Sequence, residues 1–317
     1  MIDLIEKKQL FLIDKTKKYL EEVKNKGIDT SKSSLCYLNT YSPTPGFAKI
    51  LFWLKEKDYI KKSVSLFFQH IISIIYYSNF TLINNKKINY KKIIITWGNK
   101  SDFKKNLFHD KFTNISSNKL KDTIFFVIYL DSIVPNYIPK NVVLLFNRKQ
   151  INFVFFIKEI FKNILKNNFS FKKILHYLSV QTVFAEIVNQ NLNKLISKNK
   201  INKIVIPYEG QPFQNYLIKN LKKKNKDILT FGFIHSMLPA LPLNFIKKDG
   251  SPDYLFLSGN AQKKLFYKHL GWKKTQLKVI DSIRIKKKIK NDLENSLFFA
   301  MYFIDNVNLL KAFKKFL

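Results

Sequence analysis

The chain has 317 residues, 46% of them apolar and 15% aromatic, which is enough to bury a sizeable core and excludes global disorder. Its formal net charge is +34, yet of the 56 basic residues only Arg148 and Arg284 are arginine. A nucleic-acid reader favours arginine, whose planar fork meets phosphates and guanine edges bidentately, so nucleic acid is not the expected partner. Lys, Asn, Ile, Phe and Tyr are all abundant while Gly (8) and Pro (9) are scarce, a joint skew that reads as the codon bias of an AT-rich genome. Whatever its origin, the lysine excess leaves peripheral attachment to an anionic membrane surface open.

Cys36 is the only cysteine, which excludes an internal disulfide framework and a cysteine-rich metal site and fits a cytoplasmic location. The N-terminal stretch MIDLIEKKQLFLIDKTKKYLEE carries acids among its first residues and lacks an apolar run, so it reads as a charged amphipathic helix and not a signal peptide. Residues 1–30 predict a helix closing at Gly27, with Leu4, Leu10, Phe11, Ile13 and Leu20 at roughly helical spacing. Ser34–Asn39 is short and apolar enough for a first strand before the Pro/Gly turn cluster TYSPTPGF. Ser63–Ile83 is long enough to span a membrane, but Gln69 and His70 sit in its middle, so a buried helix of a folded domain is the expectation.

Downstream the pattern alternates. Lys91–Thr96, Asp122–Leu130 and Asn141–Phe146 are strand-like apolar runs, and Ile151–Lys200 predicts two or three helices, the last over Thr182–Ile196. Strand Lys203–Pro207, helix Gln211–Lys224, strand Leu229–Ile234, strand Tyr254–Leu257, helix Gly259–Leu270 and strand Leu277–Ile280 follow, with a further strand-helix pair at Ser296–Tyr302 and Asn306–Phe316. Strands alternating with helices of this length imply βαβ units and a parallel sheet.

The chemistry-bearing residues lie at the ends of these strands. There is no GxGxxG, no GxxxxGK[ST], no HExxH and no CxxC, so neither a dinucleotide fingerprint, a Walker loop nor a common zinc motif is present. The Gly-Asn-Lys-Ser turn after the first predicted parallel strand could offer amides to an anion, although a plain loop fits it better. Glu209 follows an uninterrupted apolar strand. A partly desolvated carboxylate there serves as a general base or hydroxyl ligand, or else it caps the next helix. His235 ends the following strand, with Gly232 inside it permitting close backbone approach; it is either a general base or an imidazole satisfied by backbone. Ser258-Gly259 opens a helix and offers an anion site or a simple N-cap. Arg284 is an arginine in a chain that otherwise uses lysine, which suggests a need for a fork-shaped donor.

The ordered set Tyr208-Glu209-Gly210-Gln211-Pro212-Phe213, Gly232-Phe233-Ile234-His235-Ser236, Pro252-Asp253-Tyr254-Leu255, Ser258-Gly259, Leu270-Gly271-Trp272 and Val279-Ile280-Asp281-Ser282-Ile283-Arg284 resembles bacterial surface-carbohydrate biosynthesis proteins with a GT-B-type glycosyltransferase fold. It is more distantly similar to the CDP-glycerol glycerophosphotransferase and polysialyltransferase groups. Thr96-Trp97-Gly98, Phe108-His109-Asp110-Lys111-Phe112 and Val134-Pro135 extend the resemblance upstream, so that it covers roughly residues 93–284. The resemblance implies transfer of a sugar from a nucleotide-sugar donor to a glycan acceptor hydroxyl, with no cofactor beyond the donor. It implies His235 as general base and Glu209 as the group that binds or orients the acceptor, with the two roles exchangeable. Trp97, Gln211, Ser236, Ser258, Gly259 and Arg284 are the expected substrate-binding residues. The expected fold is α/β: a GT-B-like N-terminal Rossmann-type domain with a mostly parallel sheet, made of a region over residues 1–90 and an acceptor-side domain over 91–284. Only 33 residues follow Arg284, too few for a second sheet, so residues 285–317 are expected to be an incomplete C-terminal domain. A non-catalytic acceptor- or partner-binding module is the alternative expectation.

Overall fold

The computed structural model describes residues 2–33, 68, 71–76, 79–84, 90–120, 122–148, 176–177, 180–235 and 242–280. Contacts divide the chain into Met1–Arg284 and Ile285–Leu317, and every described residue belongs to the first unit. In chain order the elements are α1 (Ile2–Asn25), β1 (Phe80–Ile83), β2 (Lys92–Gly98), β3 (Phe103–Lys104), β4 (Leu107–Asp110), β5 (Ile115–Ser116), β6 (Thr123–Tyr129), β7 (Val142–Asn147), α2 (Val180–Ile196), β8 (Lys203–Pro207), α3 (Pro212–Lys224), β9 (Leu229–Phe233), β10 (Tyr254–Leu257), α4 (Asn260–His269) and β11 (Leu277–Val279).

The fold is α/β, built on an eight-stranded sheet of order β1-β7-β6-β2-β8-β9-β10-β11. Every pairing in it is parallel except β1 with β7. The central strands are buried on both faces, which is why they read as unbroken apolar runs. Along β2, Ile93 and Ile95 enter the core beneath α2 and α3, while Ile94 joins the opposite core; Ile124, Phe126 and Ile128 of β6 likewise face away from Phe125, Val127 and Tyr129. Helix α2 turns Val183, Ile187, Leu192 and Leu195 inward, as its spacing predicts. A third core joins Ile13, Leu20 and Val23 of α1 to Leu255, Leu257, Phe266 and Trp272 around β10 and α4. Lys32 and Glu186, both buried, pair at 2.5 Å, and Tyr216 of α3 donates to the same Glu186 oxygen at 2.7 Å, tying the segment after α1 to both helices of the first core.

Two features depart from the sequence expectations. The apolar stretch Ser63–Ile83 is not one helix: residues 68 and 71–76 are helical, but Phe80–Ile83 is β1, antiparallel to β7 at the sheet edge. A continuous apolar run lacks the period that separates helix from strand, and here cross-strand pairing decides. The helical part is not buried on all sides either, since Phe68, Ile72 and Tyr76 are exposed while Ile74 is buried. Between β2 and β6 the chain also inserts a three-stranded sheet, β3-β4-β5, whose strands are too short to show alternation. The predicted strands at Ser34–Asn39 and Ser296–Tyr302, the helix at Asn306–Phe316 and the helical stretch over residues 151–175 lie outside the described residues.

Gly232 in β9 is required by space. A Cβ there would stand 2.8 Å from Tyr208 Cβ, 2.9 Å from Pro252 Cγ and 3.0 Å from Leu255 Cδ1. Gly232→Ala is therefore expected to cost about 1–3 kcal/mol through overpacking. Urea unfolding followed by circular dichroism reads this, and an unchanged midpoint would contradict the packing described.

Candidate functional site

The order of the sheet reverses between β2 and β8. From β2 the chain proceeds outward through β6 and β7; it then returns to β8 and proceeds the other way through β9, β10 and β11. Loops leaving the C-terminal ends of β2 and β8 diverge, and a crevice opens between them, the place where open α/β sheets bind ligands. A cavity of about 970 Å³ lies here. Trp97 of β2, Ile128 and Tyr129 of β6, Asn147 of β7, Pro207 of β8 and His235 beyond β9 reach it from the strand ends. Phe184 of α2, Phe213 of α3, Lys111 and Phe112 from the inserted sheet, and Tyr76 and Leu130 at the mouth complete most of the wall.

Glu209 and Gln211 stand on a loop that is held at several points. Gln214, in the first turn of α3, accepts from the backbone N–H of both Glu209 (2.9 Å) and Gln211 (3.0 Å), and its amide donates to Pro207 O at 2.6 Å. Asn215, fully buried, donates to Gly210 O at 2.9 Å and accepts the Tyr208 hydroxyl at 2.7 Å. Gly210 has φ +69°, and a Cβ would fall 2.1 Å from Asn244 O, so only glycine fits between Glu209 and Gln211. The loop presents the Glu209 carboxylate with Oε2 accepting from Gln211 Nε2 at 2.5 Å and Oε1 facing His235 Nε2 at 3.4 Å. The two side chains are 30% and 10% exposed respectively, so the pair is largely screened from water and still borders the cavity. Burial raises the Glu209 carboxyl above its ordinary range, and the hydrogen bond from Gln211 opposes that only in part.

The imidazole of His235 is packed edge-on against Phe112, with ring centroids 4.9 Å apart, and against Phe233 at 6.3 Å. Phe112 in turn reaches Trp97 at 5.8 Å, and Trp97 meets Phe213 at 5.6 Å. Phe112 owes its position to Asp110, a fully buried carboxylate at the end of β4 that accepts from Thr96 Oγ1 (2.7 Å), Phe112 N (3.0 Å) and Thr113 Oγ1 (2.5 Å). Asp110 thus fastens the inserted sheet to β2 and points the 111–112 turn into the crevice. Lys111 forms a 3.6 Å ion pair with Asp102. Tyr129, buried beside Asp131 and Asp102, has its phenol pushed up to about 12 and donates to Ile133 O.

Of the residues singled out in the sequence, Trp97, Glu209, Gln211 and His235 meet in this crevice. Ser258 and Gly259 lie at the end of β10, two strands beyond β8, and do not line it. Ser258 N and Oγ are both directed at Gln262 Oε1 (3.1 Å each), which occupies the anion position expected at the start of α4. The Gly98-Asn99-Lys100-Ser101 turn is filled in the same way. Asp102 accepts from Asn99 N at 2.9 Å, Asp131 from Lys100 N at 2.5 Å and Asn99 Oδ1 from Ser101 N at 3.1 Å, so it is a self-satisfied loop. Ser236 and Arg284 lie outside the described residues. Lys111, Phe112, Phe184 and Phe213 of the wall were not recognised individually. Position after a strand points to Asp131 and Ser132, but nothing local marks Phe184 of α2 as a wall residue.

Among the described residues no group of three or more His, Cys, Asp or Glu side chains could hold a metal ion, and no helix is long and apolar enough to cross a membrane. Comparison of the chain with protein-family models, with curated proteins and with solved structures found no match.

Proposed function

We propose that the protein is a GT-B-type glycosyltransferase-like enzyme of cell-surface polysaccharide biosynthesis, which transfers a sugar from a nucleotide donor to an acceptor hydroxyl. The observation that carries this reading is the Glu209–His235 carboxylate–imidazole pair, 3.4 Å apart at the switch point of the parallel sheet and bordering a cavity of about 970 Å³, large enough to admit a sugar. Such a pair moves a proton well. The acceptor O–H bond breaks as its proton passes to the Glu209–His235 pair, to be held between Oε1 and Nε2, the acceptor oxygen bonds the anomeric carbon, and the bond from that carbon to the donor phosphate breaks, with its electrons leaving on the nucleotide. The imidazolium that forms faces Glu209 Oε1, whose charge stabilises it. Gln211 holds the other carboxylate oxygen in place, and Trp97 and Phe112 supply apolar wall for a sugar ring.

A second reading, a non-catalytic acceptor-binding module, is favoured by one specific observation. Among the described residues lining the cavity Lys111 is the only lysine or arginine, it is already paired with Asp102, and two carboxylates, Asp131 and Glu209, share the wall. That lining suits neutral hydroxyl groups better than a diphosphate. Under the first reading it is the acceptor half of the site.

A panel of nucleotide-sugars and glycan acceptors, assayed with the full chain, separates the two. Transfer that falls about 10²–10⁴-fold in kcat/KM in His235→Ala supports the enzyme. Acceptor binding without donor turnover supports the module, and neither binding nor turnover with any member of the panel removes the transferase reading. The raised carboxyl of Glu209 adds a pH test. Activity that needs the carboxylate is expected to fall on the acid side at a pH above the ordinary glutamate value of about 4.3, and Glu209→Gln should remove that limb together with most of the rate. Stability is expected to move the other way. Because the folded value is raised, the favourable contribution is present below the unfolded value and lost as pH rises through the folded one. Near neutral pH Glu209→Gln should therefore raise Tm slightly, by about 2 °C. A fall in Tm would mean that the carboxylate is a structural asset.

A further inference from the structure

Ten large apolar side chains are exposed among the described residues, and seven of them come from two places, residues 68 and 71–76 and residues 130–137. Helical residues 68 and 71–76 carry Phe68, Ile72 and Tyr76 outward at 60%, 64% and 55% exposure. The loop after β6 carries Leu130, Ile133 and Tyr137 at 63%, 62% and 49%. Tyr76 and Leu130 both line the mouth of the crevice, so the two segments meet at one rim. Exposed apolar surface concentrated in this way marks an interaction site, whereas single exposed residues such as Leu229 carry no such meaning.

Basic side chains stand beside these tips. Tyr137 shares a small cavity of about 190 Å³ with Lys100 and Lys105, and Lys100, Lys104 and Lys105 are all exposed on the turn and hairpin next to the 130–137 loop. Asp131, the one carboxylate in that loop, is turned back onto the Lys100 backbone N–H at 2.5 Å. Aliphatic and tyrosine tips with lysines alongside are the composition of a surface that lies in a bilayer interface: apolar groups enter the acyl boundary while the lysines meet anionic headgroups.

We propose that the crevice rim formed by residues 68, 71–76 and 130–137 is a docking surface for an anionic membrane, seated by Ile133, Tyr137 and their neighbours with Lys100 and Lys105 on the headgroups. The proposal does not depend on the transferase reading, and the experiment below involves no turnover, so either can fail alone. In a Cys36→Ser background, Ile133→Cys and, as a control, Leu229→Cys at the N-terminal end of β9, the opposite end of the strands, are labelled with an environment-sensitive fluorophore and mixed with vesicles of phosphatidylcholine or of phosphatidylcholine with phosphatidylglycerol. The expected result is a blue shift at position 133 and none at 229, seen only with the anionic vesicles. Sedimentation of the unlabelled full chain with the same vesicles is expected to weaken roughly 25-fold when Lys100 and Lys105 are both replaced by alanine, about fivefold for each lysine. Ile133→Asp is expected to weaken it further in a variant whose circular dichroism and melting are unchanged. No shift at 133, equal shifts at 133 and 229, or vesicle binding untouched by Ile133→Asp would each overturn the proposal. A shift at 133 without vesicles that tracks dimer formation in the ultracentrifuge would assign the rim to a second copy of the chain and overturn it as well.

Discussion

The arrangement depends on a topological constraint: β2 and β8 are neighbours and parallel, but the chain leaves them in opposite directions. A crossover can fill the space above a strand pair only if its loop passes over both ends. After Gly98 the chain turns towards the inserted sheet and β6, and after Pro207 it turns into α3, so neither loop covers the gap. The crevice is thus a consequence of winding order, and residues near the C-terminal ends of β2 and β8, Trp97 in the one and Glu209 just past the other, become its walls. His235 reaches the same space from one strand further because Gly232 lets β9 lie close against Tyr208 and β10.

Much of this was legible in the sequence. Parallel strands buried on both faces announce themselves as apolar runs. The predicted bounds of β8 and β10 coincide with the observed ones, and those of β2, β6, β7 and β9 differ by at most two residues at either end. The first polar residues after such runs are forced to a common edge, which is why Glu209 and His235 could be singled out before their 3.4 Å approach was known. What the sequence could not convey was order across the sheet. Strand neighbours are chosen by long-range packing, so nothing local told that β8 returns to β2, or that Ser258, at an equivalent strand end, stands two strands away from Glu209. The β3-β4-β5 insertion was illegible for a different reason. Its pairs are a few residues long, and it is anchored by the buried Asp110 through partners in β2 and in its own turn.

The loop carrying Glu209 shows how a local cost is sustained. A carboxylate raised by burial and set beside an imidazole is a poor choice for stability alone. Around it the chain leaves little freedom: Gln214 binds two amides and a carbonyl, Asn215 bonds Gly210, and Gly210 is pressed on Asn244. Interactions of this number are what keep a group in an environment it would otherwise escape, and they concentrate on the one loop that also borders the cavity.

Charge adds a second constraint on what the crevice can accept. A chain with 56 basic residues would, by chance placement, line a large cavity with several cations, yet the described lining holds one, and Asp102 neutralises it. Most described lysines are instead exposed, including Lys100, Lys104 and Lys105 beside the rim. Compositional bias explains why lysine is common but not why Lys111 is the only one among the described lining residues, where a lysine facing Glu209 would draw its proton equilibrium back down. Burial thus leaves the Glu209 carboxyl raised, with His235 Nε2 facing it at 3.4 Å, where a lysine in the same position would have lowered it.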